Sequence, residues 1–184
     1  SCRLLALRRA FVALTTAGFA ALLGLMALQP ISGAMAQLAT AALVAQPVSL
    51  PDMALGPANA PVTITEYSSM SCPHCATFGE NVFPMLRAKY IDTGKVRFVF
   101  REFLLDIKAA AASMLARCAA NGDAEKFFGT VQLLFQQQQM LMAQTNMTLR
   151  VIGKQAGMTE QAVETCGRDQ TLLDKLAADQ RFAH

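Results

Sequence analysis

The sequence carries little charge and almost no excess of either sign. Charged residues make up 16% of the 184 positions and hydrophobic residues 53%, which excludes a globally disordered chain. Arg3, Arg8 and Arg9 account for three of the 16 basic residues, so the other 13 balance the 13 acidic residues. Without a basic excess, no nucleic-acid partner is expected. The length fits one domain, or one domain with an insertion.

Charged residues are also missing between residues 10 and 51. Three arginines precede this stretch, it is mainly apolar as far as Leu28, and small residues follow. This order predicts a secretory signal over residues 1–36 that is cleaved after Ala36. The Arg8-Arg9 pair resembles a twin-arginine signal. The alternative is a membrane anchor that is never cut.

The remaining chain divides into three parts. Residues 37–60 contain prolines and no sustained period, which predicts an unstructured lead-in. Residues 61–105 predict a βαβ unit, with strands over 62–67 and 96–101 around a helix over 73–90. Residues 106–184 predict helices only, so the fold class is α/β with an all-helical addition. Helix caps are expected at four residues, which are Asp106, Asp123, Thr159 and Asp169.

The motif Cys72-Pro73-His74-Cys75 lies at the predicted junction of the first strand and the helix. A thiol at a helix N-terminus meets unpaired N–H groups and the positive end of the helix dipole, and both stabilise a thiolate. Cys75, one turn later, points back to the same place. His74 can add a positive charge or a hydrogen bond to the Cys72 thiolate, while Pro73 fits a first helical turn. The pattern therefore predicts a redox-active dithiol.

A metal site is the alternative interpretation of the motif. A structural zinc ion needs four ligands, yet the sequence has no second C-x-x-C pair, and its other histidine is the terminal His184. Cys72, His74 and Cys75 could still form a copper site. The strand before the motif and the helix after it favour the dithiol, so neither a metal nor a cofactor is expected.

Three further residues are candidates for a catalytic or a structural role. Glu66 lies six positions before Cys72, and it is either a solvent-facing strand residue or a buried carboxylate that accepts the proton of Cys75. Cys118 and Cys166 are either two buried free thiols or a structural disulfide. An oxidising compartment favours the disulfide.

Cys72-Pro73-His74-Cys75 with Glu66 six residues upstream resembles the DsbA family of thiol:disulfide oxidoreductases. The flanking segments 60–67, 89–103 and 111–118 are similar to DsbA-like proteins of alphaproteobacteria, and the resemblance covers about residues 52–184. It implies a thioredoxin-like fold with an inserted all-helical domain. Cys72 would be the exposed nucleophile, Cys75 its buried partner, His74 the thiolate stabiliser and Glu66 the proton-transfer group.

The same resemblance implies a Cys118–Cys166 bridge and a periplasmic monomer. Its partners would be thiols of unfolded exported proteins and a membrane reoxidant of the DsbB type. The sequence distinguishes oxidase from isomerase or reductase poorly.

The sequence departs from the family pattern in two places. Leu104 stands where many relatives have proline. Relatives also continue past the helical block into a cis-proline segment, a hairpin and a last helix, whereas this sequence stops at His184. The expected fold therefore lacks those elements and retains a two-stranded sheet with an open edge. An inactive, truncated product is a further alternative.

Overall fold

The computed structural model describes residues 48 to 180. The predicted signal, residues 1–36, and the terminal His184 lie outside the described residues. The strands are β1 (Met53–Leu55), β2 (Val62–Ser68) and β3 (Val96–Glu102). The helices are α1 (Pro73–Asn81), α2 (Phe83–Leu86), α3 (Ile107–Ala120), α4 (Ala124–Gln136), α5 (Gln138–Ala143), α6 (Thr145–Gln155), α7 (Glu160–Gly167) and α8 (Gln170–Gln180). A π-helical turn, Arg87–Ile91, follows α2.

The three strands form one mixed sheet in the order β1-β3-β2. β2 and β3 are parallel, with Val62 opposite Val96, as the strand-helix-strand pattern predicts. β1 is antiparallel to β3 and pairs Met53 with Phe100. None of the helices within residues 48 to 180 combines the length and apolar character that crossing a bilayer requires.

The prediction of an unstructured lead-in over residues 37–60 is wrong at β1, and the prediction of a two-stranded sheet is wrong with it. Met53 and Leu55 each keep only 5% of their surface exposed and pack into the core. Three residues are too few for an alternating pattern to be recognised in a sequence. Asp52 fixes the entry to β1 through an ion pair with Arg101 on β3, at 3.0 Å.

Two predicted helices are interrupted. The helix expected over residues 73–90 breaks after Asn81 because Pro84 lies in the first turn of α2 and has no N–H for a continuous helix. The helix expected to follow the Asp123 cap breaks at Gln137, whose φ of −107° and ψ of 19° leave the helical range. The interruption at Gln137 is important for the site, because α5 then begins at Gln138.

Phenylalanines join the helical block to the sheet. Phe83 stacks on Phe128 with ring centroids 5.6 Å apart, and Phe98 of β3 lies 5.1 Å from Phe83. Phe100 of β3 meets Phe127 of α4 edge to face at 5.4 Å. Aromatic pairs at these separations contribute beyond simple burial. The sheet and α4 therefore share one core.

Gly79 lets α1 approach α4 closely. A Cβ atom at this position would lie 2.7 Å from Cδ2 of Phe135, whose ring is buried. Only glycine leaves room for this ring against the α1 backbone. The close approach fixes α1 against the shared core, and the N-terminus of α1 carries the cysteine motif.

Candidate active site

The motif occupies the junction of β2 and α1. Cys72 is the N-cap of α1, with an extended backbone (φ −83°, ψ 117°), and Pro73 occupies the first turn. The backbone N–H of Cys75 donates to Sγ of Cys72 at 3.4 Å. Cys72 and Cys75 are both free thiols, and both are partly buried. The geometry therefore brings together the two sulfurs that the sequence predicted at one helix N-terminus.

The two thiols differ in acidity. Partial burial, the largest influence, raises the pKa of Cys72, but the Cys75 thiol and the backbone N–H groups of Cys75 and His74 donate to it and bring the pKa below its ordinary value. Burial raises the pKa of Cys75, and donation of its proton to Cys72 raises it further. One thiol is thus prepared to ionise and the other to stay protonated.

Glu66 lies beneath the dithiol on β2. Its carboxyl group is half-buried and lines a small crevice with Phe83, Phe100 and Phe128. Burial raises the pKa of Glu66, and a contact with the Ser68 hydroxyl lowers it in part. The negative charge of Glu66 in turn raises the pKa of Cys72. The carboxylate is therefore electrostatically linked to Cys72, and its role in proton transfer stays a prediction.

His74 is exposed on the first turn of α1. Its backbone N–H is one of the groups that lower the pKa of Cys72. This contribution comes from the peptide group at position 74 and does not depend on an imidazole. The stabilising role of the His74 side chain stays a prediction.

Sequence reasoning missed three side chains around the dithiol. The Ser68 hydroxyl is buried and lowers the pKa of both Glu66 and Cys75, although it forms no close hydrogen bond among residues 48 to 180. Gln138 donates to backbone carbonyls of the cysteine loop. Asp106 interacts with the Ser71 side chain while it caps α3. Of the three, only Asp106 was singled out in the sequence, as a helix cap. Its position as a cap does not indicate that it also contacts Ser71.

Cys118 and Cys166 form a disulfide that joins α3 to α7, with an S–S distance of 2.09 Å. Cys166 is buried beside Met114 and Leu176. The bond lies within the helical block, and its two cysteines are 48 positions apart in sequence. Its place on two helices of that block fits a structural role.

Metal binding gains no support from the geometry. Within the described part of the chain, no three His, Cys, Asp or Glu side chains are arranged to hold a metal ion. Structural zinc sites in proteins use four such ligands. Chemically, the arrangement offers one activated thiol, one protonated thiol and a linked carboxylate.

Comparison with known proteins places this geometry in a family. The family model described as Thioredoxin matches residues 49–183. A protein of Rickettsia bellii named "Putative protein-disulfide oxidoreductase" is 34% identical over 131 residues, which cover 71% of this chain and 51% of that protein. "Disulfide bond formation protein D" of Bacillus subtilis is 32% identical over 85 residues, covering 46% of this chain and 38% of that protein. The chain spans about half the length of the Rickettsia relatives it matches.

A solved structure gives the same result. The crystal structure of Wolbachia pipientis alpha-DsbA1 is similar with a TM-score of 0.66 and 33% identity, covering 74% of this chain and 69% of that one. The described sheet and helices are consistent with the thioredoxin-like fold that the resemblance implied. From its match to the family model and its similarity to alpha-DsbA1, the chain belongs to the thioredoxin family and, within it, to the DsbA-like proteins.

Proposed function

We propose that the chain is a thiol:disulfide oxidoreductase that introduces disulfides into exported proteins through Cys72 and Cys75. The observation that carries this proposal is the unequal acidity of the two thiols. The pKa of Cys72 is lowered by donors at the N-terminus of α1, whereas burial raises the pKa of Cys75. Stabilising the thiolate of the reduced form makes the corresponding disulfide a stronger oxidant.

The reaction begins with the Cys72–Cys75 disulfide and a substrate dithiol. A substrate thiolate attacks Sγ of Cys72, which breaks the Cys72–Cys75 bond, forms a mixed disulfide on Cys72 and releases Cys75 as a thiolate. A second substrate thiolate then attacks the substrate sulfur of the mixed disulfide and releases the Cys72 thiolate. The substrate loses two electrons and gains a disulfide, while the two cysteines gain those electrons.

Glu66 supplies the proton that Cys75 needs in the first step. Burial raises the pKa of both groups, so each favours its neutral form more than it would in water. Because the pKa of Cys75 is raised, its newly released thiolate takes up a proton from Glu66 more readily than an ordinary thiolate would. The Ser68 hydroxyl lowers the pKa of both groups in part.

The cellular setting belongs to the same proposal. The signal predicted over residues 1–36 would deliver the chain to the periplasm, where disulfides persist. Thiols of unfolded exported proteins would be its substrates, and a membrane protein of the DsbB type would reoxidise the dithiol. We propose that residues 61–105 carry the redox site as a monomer and that the helical insertion, residues 106–184, supports it.

The test is oxidation of a model peptide by the purified full chain. The protein is first oxidised and then mixed with a peptide that carries two cysteines and a fluorescence pair reporting disulfide formation. Stoichiometric peptide oxidation is expected, with a reduction potential less negative than about −200 mV. Cys72→Ser and Cys75→Ser should each abolish oxidation, because neither variant can form the Cys72–Cys75 disulfide. When Cys75→Ser is offered the peptide in its disulfide form, its Cys72 thiolate should attack that bond and accumulate as a mixed disulfide, with release of one peptide thiolate. His74→Ala, which keeps the backbone N–H, measures the separate contribution of the imidazole.

Other outcomes identify the competing functions. A potential more negative than about −250 mV would reject the oxidising direction and indicate a reductase. Rearrangement of scrambled disulfides without net oxidation would indicate an isomerase. A folded protein that does not oxidise the peptide would indicate an inactive product.

A further inference from the structure

Gln138, the first residue of α5, reaches into the cysteine loop. Its Nε2 donates to the carbonyl oxygen of Met70 at 2.9 Å and to the carbonyl oxygen of Cys72 at 3.0 Å. A carboxamide nitrogen has two protons, and these two contacts use both of them. The donor and its acceptors are separated by 68 and 66 positions in sequence, so the contact connects the helical block to the loop.

The two carbonyl groups flank Ser71. Met70 is fully buried, and a buried backbone carbonyl needs a hydrogen-bond partner. The Cys72 carbonyl also accepts the N–H of Ala76 at 3.1 Å, which is the first helical bond of α1. Gln138 therefore holds the loop immediately before α1 and the first residue that caps this helix.

We propose that Gln138 is a positioning residue for the dithiol, which holds Cys72 at the N-cap of α1 by clamping the carbonyl groups on both sides of Ser71. The inference deepens the proposed function and rests on it for its catalytic meaning. Its test nevertheless measures the Cys72 thiol directly, so the two can fail separately.

The remaining restraints on the loop do not replace this clamp. The Cys72 N–H donates to the Ser69 carbonyl at 3.1 Å, and the Ser71 N–H donates to Oγ of Ser69 at 3.4 Å, so both bonds stay within the loop itself. Asp106 interacts with the side chain of Ser71 and not with the carbonyl groups that Gln138 binds. The Gln138 contacts hold the backbone itself from outside the loop.

The position of Cys72 determines the acidity of its thiol. The Cys75 N–H donates to Sγ of Cys72 at 3.4 Å. A rotation of the Cys72 backbone would lengthen this bond and weaken the stabilisation of the thiolate. Loss of the clamp should therefore reduce the fraction of Cys72 that is present as thiolate.

The decisive experiment compares Gln138→Met with Gln139→Met in the reduced full chain. Methionine keeps the length and helix propensity of glutamine but has no donor, and Gln139 is an exposed neighbour on the same helix. Alkylation of Cys72 by iodoacetamide is followed by site-resolved mass spectrometry across pH, which separates it from Cys2 and Cys75. The ratio of the rate at pH ~6 to the high-pH plateau reports the thiolate fraction.

Gln138→Met should lower this ratio roughly two- to tenfold, the effect of about one hydrogen bond, while Gln139→Met should match the wild type. The nearby titrating groups, Cys75 and Glu66, are the same in every variant. Equal ratios for both variants would overturn the inference. A lower melting temperature with an unchanged ratio would also overturn it, because it would reduce Gln138 to a packing residue.

A measurement on the wild-type chain tests the clamp even if Gln138→Met fails to fold. Exchange of the side-chain amide protons is followed by NMR for Gln138 and Gln139. The clamp predicts slower exchange for Gln138, whose two protons are both bonded. Equal exchange rates would contradict the clamp. If the wild-type chain shows the protection and the shifted thiol but oxidises no peptide, the proposed function fails while the positioning role stands.

Discussion

Breaking the Cys118–Cys166 disulfide should destabilise the fold by an amount that follows from the loop it closes. The bond spans 48 positions of sequence. In the chain-entropy model, opening a loop of this length returns enough freedom to the unfolded chain to lower the free energy of unfolding by about 4 kcal/mol. This is a large share of the stability of a small domain, which is about 5–15 kcal/mol.

The assay requires a background in which only this disulfide responds to reductant. The double variant Cys72→Ser and Cys75→Ser removes the redox-active pair, and urea unfolding is then followed by circular dichroism with and without reductant. With a slope of about 2 kcal/mol per molar urea, the midpoint should fall by about 2 M. Adding Cys118→Ala and Cys166→Ala gives the control, whose midpoint should be low and insensitive to reductant.

A midpoint shift below about 0.5 M would refute the reasoning, since it would leave less than about 1 kcal/mol for loop closure. The unfolded or reduced chain would then retain structure that already holds α3 near α7. The alanine control could be less stable while reductant has no effect on the background with only Cys72→Ser and Cys75→Ser. The lost stability would then come from packing of Cys166, which is 5% exposed, and not from the covalent bond.

Three further changes should have effects that burial determines. Because burial raises the pKa of Glu66, the stability linked to its protonation is complete below its unfolded pKa and is lost as pH rises through its folded pKa. Glu66→Gln should therefore be more stable than wild type at pH ~8 and equal to it at pH ~4. Equal urea midpoints of the two proteins at both pH values would contradict this. Gly79→Ala should lose about 1–3 kcal/mol in urea unfolding because the new methyl group meets a buried ring of α4, and a neutral result would show that the ring moves freely. Arg117→Met should lower the free energy of unfolding by about 3–5 kcal/mol, because it leaves the Glu102 carboxylate buried without its partner. Arg87→Met breaks an exposed ion pair and should lower it by less than about 1 kcal/mol. Similar losses in urea unfolding would refute this distinction between buried and exposed pairs.

Local signals predicted the redox motif and most helix starts. Asp106, Asp123 and Thr159 cap their helices through bonds to N–H groups three positions later, as expected from residue type alone. The parallel pairing of β2 and β3 followed from strand length and the helix between them. The motif and the caps depend on residues within one or two turns, and the pairing follows from the order of neighbouring elements, so a sequence contains the information.

Long-range contacts could not be predicted in the same way. β1 exists because Met53 pairs with Phe100, and no residue near Met53 indicates that partner. The break at Gln137 falls inside a run of glutamines that contains no helix-breaking residue. Gln138 then looks like any exposed helical position, although its side chain holds the cysteine loop. Such contacts arise from tertiary packing, which overrides local propensity.

The unequal thiols illustrate why the long-range contacts are important for the chemistry. Burial raises the pKa of Cys72 and of Cys75, and it acts more strongly on Cys75, which is the more buried of the two. The direction of the hydrogen bonds enlarges this difference, because the Cys75 thiol and two backbone N–H groups all donate toward Cys72. Those donors point correctly only if the start of α1 is held still, and the close approach at Gly79 and the clamp by Gln138 hold it from the helical block. In the proposed reaction, the oxidising strength of the dithiol therefore depends on helices that contribute no sulfur to it.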